Sequence, residues 1–355
     1  MLLAVILVGL SVRLGEVKCA VHARKVSRVG YAGLVFPLLL LACTHTPHRT
    51  ASVDTNPADS GLNGADSSGT DSSATDSSDG DTSASPAPVA LWVWDDTIPG
   101  DDAATADLLA FSASHAVTTL FMTADPVGYG VDGAADRYAS FVALAHANGL
   151  LVYAASGAPW FSVPCDAGLV GQDTCWTEGW NLYAACAASN VGFDGIMDDT
   201  EPASTPDGSF TTDYVERAGW EIAYLNGIRD RIGGLPLGVA IPSWYDTLAP
   251  FSVDASATSA TLDVWTAETV DEVGVMAYRD TAAATLEQSA TELTNGPIWI
   301  GMETGPDSEG ADLTFADDGA AAVDAAMTAM NDSVGSDPNF VGFMVDSYQS
   351  WSTLR

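Results

Sequence analysis

Three acids fall within four residues at Asp198, Asp199 and Glu201, inside the run Phe193-Asp194-Gly195-Ile196-Met197-Asp198-Asp199-Thr200-Glu201-Pro202. A short apolar run leads into them and Pro202 ends any ladder, so the stretch reads as a strand that runs out into carboxylates. Side chains alternate faces along a strand. Asp199 and Glu201 therefore share one face and Asp198 takes the other. Like charges this close raise one pKa, so one acid can hold a proton near neutral pH. That is the requirement of acid–base chemistry. An acidic strand end in an acidic protein is the alternative reading of the same residues.

The elements that must position these acids begin at Ala87. From there short apolar, β-rich runs alternate with longer Ala-rich helical patterns. The expected strands are Val89–Asp95, Val117–Thr123, Leu150–Ser156, Gly195–Glu201, Leu237–Ser243, Val273–Tyr278, Ile298–Glu303 and Phe340–Asp346. Helical patterns cover 103–115, 134–148, 177–190, 211–232, 257–271, 283–295 and 316–333. Continuous apolar strands are expected where a parallel sheet is covered on both faces. Eight β-then-α units over 87–355 point to an α/β fold, a closed (β/α)8 TIM-like barrel. So few residues follow Asp346 that a full eighth helix is not expected. An open doubly wound sheet is the competing architecture.

Active sites of such barrels sit at the C-terminal strand ends. Those ends carry Trp92, Trp94, Asp95 and Asp96, then Ser156, Trp160 and Phe161, then Asp199 and Glu201. The second half adds Ser243, Trp244 and Tyr245, Tyr278 and Arg279, Glu303 and Thr304, and Asp346, Tyr348 and Trp351. Flat aromatics offer apolar faces to sugar rings, and carboxylates accept hydroxyls and move protons. A carbohydrate substrate is expected, with Trp94, Asp95, Trp160, Trp244, Tyr278, Arg279 and Trp351 binding it. Arg279 has two readings. It pairs with Asp199, Glu201 or Glu303 and lowers a pKa, or it clamps an acidic sugar.

The run from Asp194 to Glu201 resembles the fourth-strand motif of the glycoside hydrolase family 18 (chitinase-type) barrels, Asp-Gly-apolar-Asp-apolar-Asp-x-Glu. Asp194, Gly195, Ile196, Asp199 and Glu201 match it. Met197 stands where the family has its first inner Asp, and Asp198 where it has an apolar residue. Met276-Ala277-Tyr278 resembles the family's Met-x-Tyr-Asp, with Arg279 replacing the Asp, and Trp351 is similar to its terminal-strand tryptophan. The resemblance implies Glu201 as general acid and Asp199 as the partner that orients a substrate acetamido group. A second resemblance is to the large retaining glycosidase clan, whose glutamates end strands four and seven. It implies Glu201 as acid/base and Glu303 as nucleophile, although Thr200 replaces that clan's usual Asn.

The rest of the composition narrows the field. Of 355 residues 47 are acidic and 12 basic, for a formal charge of −35. Beyond Cys43 the only basic side chains besides histidine are arginines. Such a field repels nucleic acid and anionic lipid surfaces. His115 and His146 both fall at ends of helical patterns, which disfavours a Ser-His-Asp triad or a histidine-bound metal. No cofactor is expected. A hard-cation site built from Asp95, Asp96, Asp198, Asp199 and Glu201 is a minor alternative.

The N-terminal residues 1–43 read as an export signal. Arg24, Lys25 and Arg28 precede the apolar Val29–Leu41, and Leu40-Leu41-Ala42-Cys43 resembles the bacterial lipoprotein signal-peptide motif. That resemblance implies cleavage before Cys43 and lipidation of it. Residues 44–86 are mostly Ser, Thr, Asp, Ala, Gly and Pro, too poor in large apolar side chains to build a core, and are expected to be a disordered tether. A disulfide Cys165–Cys175 and a buried thiol at Cys186 are expected in an exported domain. The reading is a glycosidase (O-glycosyl hydrolase) tethered to the cell envelope or surface. A non-catalytic carbohydrate-binding lipoprotein on the same barrel is the alternative.

Overall fold

A computed structural model describes residues 86–124, 134–169, 175–204, 210, 213–253, 258–306 and 310–355. The export signal, Cys43 and nearly all of the 44–86 tether lie outside the described residues.

Eight parallel strands close into a barrel in chain order. They are β1 (Val89–Val93), β2 (Thr119–Thr123), β3 (Leu151–Ser156), β4 (Gly195–Asp198), β5 (Leu237–Pro242), β6 (Glu272–Met276), β7 (Ile298–Glu303) and β8 (Phe340–Asp346). Closure is made by β1 against β8, with Val89 opposite Phe343. The helices are α1 (Asp102–Ser114), α2 (Ala134–Ala147), α3 (Trp176–Ala188), α4 (Tyr214–Arg229), α5 (Leu262–Thr269), α6 (Ala282–Ser289), α7 (Glu292–Asn295), α8 (Ala320–Val334) and α9 (Tyr348–Trp351). A single turn, α9, stands where an eighth helix would be.

The strands are apolar throughout because both of their faces are buried. One parity fills the lumen: Ala90, Trp92, Phe121, Tyr153, Ala155, Met197, Ala240, Trp299 and Met344 form one cluster. The other parity, including Leu91, Leu120, Val152, Ile196, Val239, Val275, Ile300 and Val345, packs outward beneath the helices. Gly195 is required by this packing, since a Cβ there would lie 2.6 Å from the Tyr153 ring.

Two acids serve the opposite end of the barrel. Asp194 Oδ2 accepts the Val152 N–H at 2.7 Å, and Asp271 Oδ2 accepts the Leu237 N–H at 2.8 Å. Asp194, the first acid of the motif, thus ties β4 to β3 at the strand starts, remote from the acids at the strand end.

Several boundaries differ from expectation: β1 ends at Val93 and β6 at Met276, and the pattern over 283–295 gives two helices, α6 and α7. The pattern over 257–271 yields a helix only from Leu262, because Phe251 and Ala260 first form an antiparallel bridge. β4 ends at Asp198 rather than Glu201, although the Asp199 N–H still reaches Ser156 O at 2.9 Å.

Candidate active site at the barrel mouth

Lumen parity, continued past the strand ends, brings one set of side chains to the mouth: Trp94 after β1, Asp199 and Glu201 after β4, Tyr278 after β6, Glu303 in β7 and Asp346 in β8. The β3 end makes room for β4's. A Cβ on Gly157 would lie 2.0 Å from the Asp199 carbonyl oxygen, so only glycine allows the two backbones to meet there.

Asp199 and Glu201 are neighbours in charge as well as in sequence. Burial pushes the Asp199 carboxyl well above its ordinary range, and Glu201, Asp346 and Asp198 push it further in the same direction. Asp199 therefore holds its proton more tightly than an ordinary carboxyl group. Glu201 is half-buried, and its Oε2 accepts from Ser204 Oγ at 3.2 Å, in the short turn that Pro202 begins.

Tyr278 ties the four acids to one place. Burial raises its phenol, and Asp346, Glu303, Asp199 and Glu201 each raise it further, so it stays protonated and available as a donor. Asp346 is raised by burial and restrained by one hydrogen bond. That bond comes from Trp94 Nε1, 2.9 Å from Oδ1. Trp94 in turn lies flat on Trp92, with centroids 4.9 Å apart and planes 11° from parallel, and leaves 37% of its surface exposed. A lumen tryptophan thus supports an exposed one beside the acids. Trp92 itself is core.

Glu303 reaches the mouth, but its Oε1 is turned back to accept the Gly305 N–H of its own loop. The outer face of β4 carries a different network. Asp198 is fully buried and its carboxyl lies at about 6, raised by burial and held down by hydrogen bonds from Tyr183, Thr200 and Tyr224. Glu221 of α4 lies nearby, raised by burial and then by Asp198, and receives Tyr245 Oη at 3.4 Å.

Three of the expected binding residues, Arg279, Trp351 and Asp95, are held by other partners. Arg279 pairs with none of the three acids proposed for it. Its Nη1 donates to Tyr278 O at 2.6 Å and its Nη2 to Gln288 Oε1 at 3.0 Å, because one step along the chain from lumen-facing Tyr278 turns it towards α6. Trp351 is 1% exposed and packs against Phe111 and His115 of the α1 region, with centroids 5.2 and 4.6 Å away. It plugs the gap left by the short α9 and has no face for a sugar. Asp95 is exposed and its Oδ1 is occupied by Thr97 N at 2.9 Å and Thr97 Oγ1 at 2.6 Å. Trp244 is 41% exposed and meets Tyr245 edge-on. Trp160 is half-buried in the turn Pro159–Ser162. Cys165 and Cys175 are joined as a disulfide in the loop between β3 and α3, and Cys186 is a buried thiol.

The five acids considered for a hard cation do not converge, since Asp198 faces the helices and Asp95 its own turn. Among the described residues no group of three His, Cys, Asp or Glu is arranged to hold a metal. Asp346 carried a sequence signal, its place at the end of β8. Tyr183, Tyr224 and Glu221 carried none, because only the packing of α3 and α4 brings them to β4.

No family model matches the sequence, and no curated protein matches it. Among solved structures, the chain is similar to a chitinase from Rhizomucor miehei, at 18% identity over 73% of this chain and 94% of that one, with a TM-score of 0.46. It is similar to the catalytic domain of a mannanase from Streptomyces sp. SirexAA-E, at 14% identity over 74% and 75%, TM-score 0.47. A GH18 chitinase from Cycas revoluta in complex with (GlcNAc)3 aligns at 11% identity over 74% and 96%, TM-score 0.44. Likenesses this distant bring neither substrate nor mechanism to this chain.

Proposed function

We propose that the barrel is a glycoside hydrolase acting on a poly- or oligosaccharide, with Glu201 as general acid and Asp199 as its proton-holding partner. The observation that carries this reading is the coupled pair itself: Asp199, raised by burial and by Glu201, at a barrel mouth shared with Tyr278 and Asp346. Glu201 donates its proton to the glycosidic oxygen as the C–O bond breaks. The ionised carboxylates at the mouth offset the positive charge that develops on the sugar ring; water then adds to the ring carbon, and its proton returns to Glu201. The Tyr278 hydroxyl supplies a hydrogen bond to the substrate, and Trp94 supplies a flat face. The occupied Oε1 of Glu303 supports Asp199, rather than Glu303, as the partner of Glu201.

Residues 1–43 act in this proposal as a lipoprotein signal that leaves lipidated Cys43. Residues 44–86 then act as the tether from the cell envelope or surface. Glu201→Gln is expected to lower turnover of any responsive glycan by about 10²–10⁴-fold with binding retained. Unchanged hydrolysis in that variant would remove Glu201 from the mechanism.

A second reading, carbohydrate binding without turnover, is favoured by Met197, which is buried in the lumen where the resemblance expects an acid. Glycan binding with no hydrolysis on long incubation selects it.

A further inference from the structure

Asp198 enters no step of the proposed mechanism, yet it is the most heavily hydrogen-bonded acid near it. Its Oδ1 accepts from Tyr183 Oη at 2.8 Å, Thr200 Oγ1 at 3.1 Å and Tyr224 Oη at 3.1 Å, and its Oδ2 accepts the Thr200 N–H at 3.2 Å. Thr200 is the residue between Asp199 and Glu201, and it is itself buried. Both of its donors end on one buried carboxyl group, so the chain segment carrying the two mouth acids is clamped from behind.

The clamp also reaches β3. Tyr183 Oη lies 2.5 Å from Ser156 O, the carbonyl that accepts the Asp199 N–H at 2.9 Å. A phenol has one proton, and here it has two acceptors. When Asp198 is ionised, Tyr183 donates to it. When Asp198 is protonated, its own O–H donates to Tyr183 Oη, and the Tyr183 O–H turns to donate to Ser156 O.

We propose that Asp198 is a positioning residue of the candidate active site: through Thr200 and Tyr183 it fixes the backbone on both sides of Asp199, and its protonation re-routes the hydrogen bond at Ser156. This rests on the glycosidase reading for its effect on rate, though not for its effect on the network. The titratable groups facing it are Tyr183 of α3, with Cys186 beyond, Tyr224 and Glu221 of α4, and Asp199 past the end of β4.

Two variants test it. Asp198→Asn changes the carboxyl group. Tyr183→Phe keeps the ring in its buried site and removes only the bridging hydroxyl. On a glycan the wild type hydrolyses, both are expected to lower kcat about 10- to 100-fold with KM nearly unchanged, the mark of misplaced reacting groups. The wild-type inflection near pH 6 is expected to move upward in Tyr183→Phe, which loses a donor to the ionised form, and to vanish in Asp198→Asn. Wild-type kcat and pH profile in Tyr183→Phe would overturn the proposal.

Carboxyl-carbon NMR of Asp-labelled protein gives a reading independent of turnover. One Asp resonance is expected to titrate near pH 6, to be lost in Asp198→Asn and to shift upward in Tyr183→Phe. If the wild type hydrolyses nothing, the glycosidase reading fails while this titration still decides the network. An Asp198 resonance, identified by its loss in Asp198→Asn, whose titration does not move in Tyr183→Phe overturns the network itself.

Discussion

Replacing Asp198 by asparagine has a calculable consequence for folding. The native carboxyl lies at about 6 and its ordinary value is 3.8. The difference of about two units corresponds to about 3 kcal/mol. The native state binds this proton more tightly than the unfolded chain does. Stability from this group is therefore fully present below about pH 4, is lost as pH rises from 4 to 6, and is constant above. Asp198→Asn removes the titration. Asp199 and Glu221, both raised in part by Asp198, relax in the same direction. The assay is urea unfolding of wild type and variant at pH 4 and pH 7. Whatever the gap between them at pH 4, the gap at pH 7 should be about 3 kcal/mol more favourable to the variant. A gap that does not change with pH, or changes the other way, would refute burial as the dominant influence on Asp198 over its four donors.

Other outcomes follow from the same geometry. Trp94→Phe keeps a ring on Trp92 but removes the donor to Asp346, so the Asp346 carboxyl should rise further and the acidic limb of activity should move upward, as a pH–rate profile would record. Gly157→Ala should collapse activity and shift the Asp199 backbone amide resonance while leaving the barrel folded, because its Cβ would strike the Asp199 carbonyl. Reducing or deleting Cys165–Cys175 should cost roughly 2–3 kcal/mol in denaturant unfolding, the loop-closure value for a short loop. Glu292 is buried and lies at about 8, raised by burial, held back by a hydrogen bond from its own backbone, and raised further by Asp246 and Asp263. Wild type should therefore lose stability between about pH 5 and pH 8, and Glu292→Met should abolish that loss in pH-dependent unfolding.

The barrel was legible from pattern alone. Strands buried on both faces must be apolar throughout, and helices that cover them must repeat at a different period, so the alternation of β1 to β8 with helices can be read along the chain. Alternation correctly sent Asp199 to the mouth and Asp198 to the outer face. It did not reveal that the outer face at Asp198 is covered by two tyrosines, since Tyr183 and Tyr224 are distant in sequence and reach β4 only when α3 and α4 pack on the barrel.

Side-chain destinations past the strand ends were the least legible part. Trp351 and Arg279 have the residue types of a sugar site, yet one fills the space beside α1 and the other spans to Gln288. Asp194 belongs to the motif but ties the strand starts together. Period and composition act locally, so the residue pattern could say which residues form strands, which parity faces inward and where the acids concentrate. Partners are set by contacts between segments far apart in the chain. Only the closed tertiary structure therefore decided which acids share the mouth, which hold protons, and that Asp198 grips the segment between them from behind.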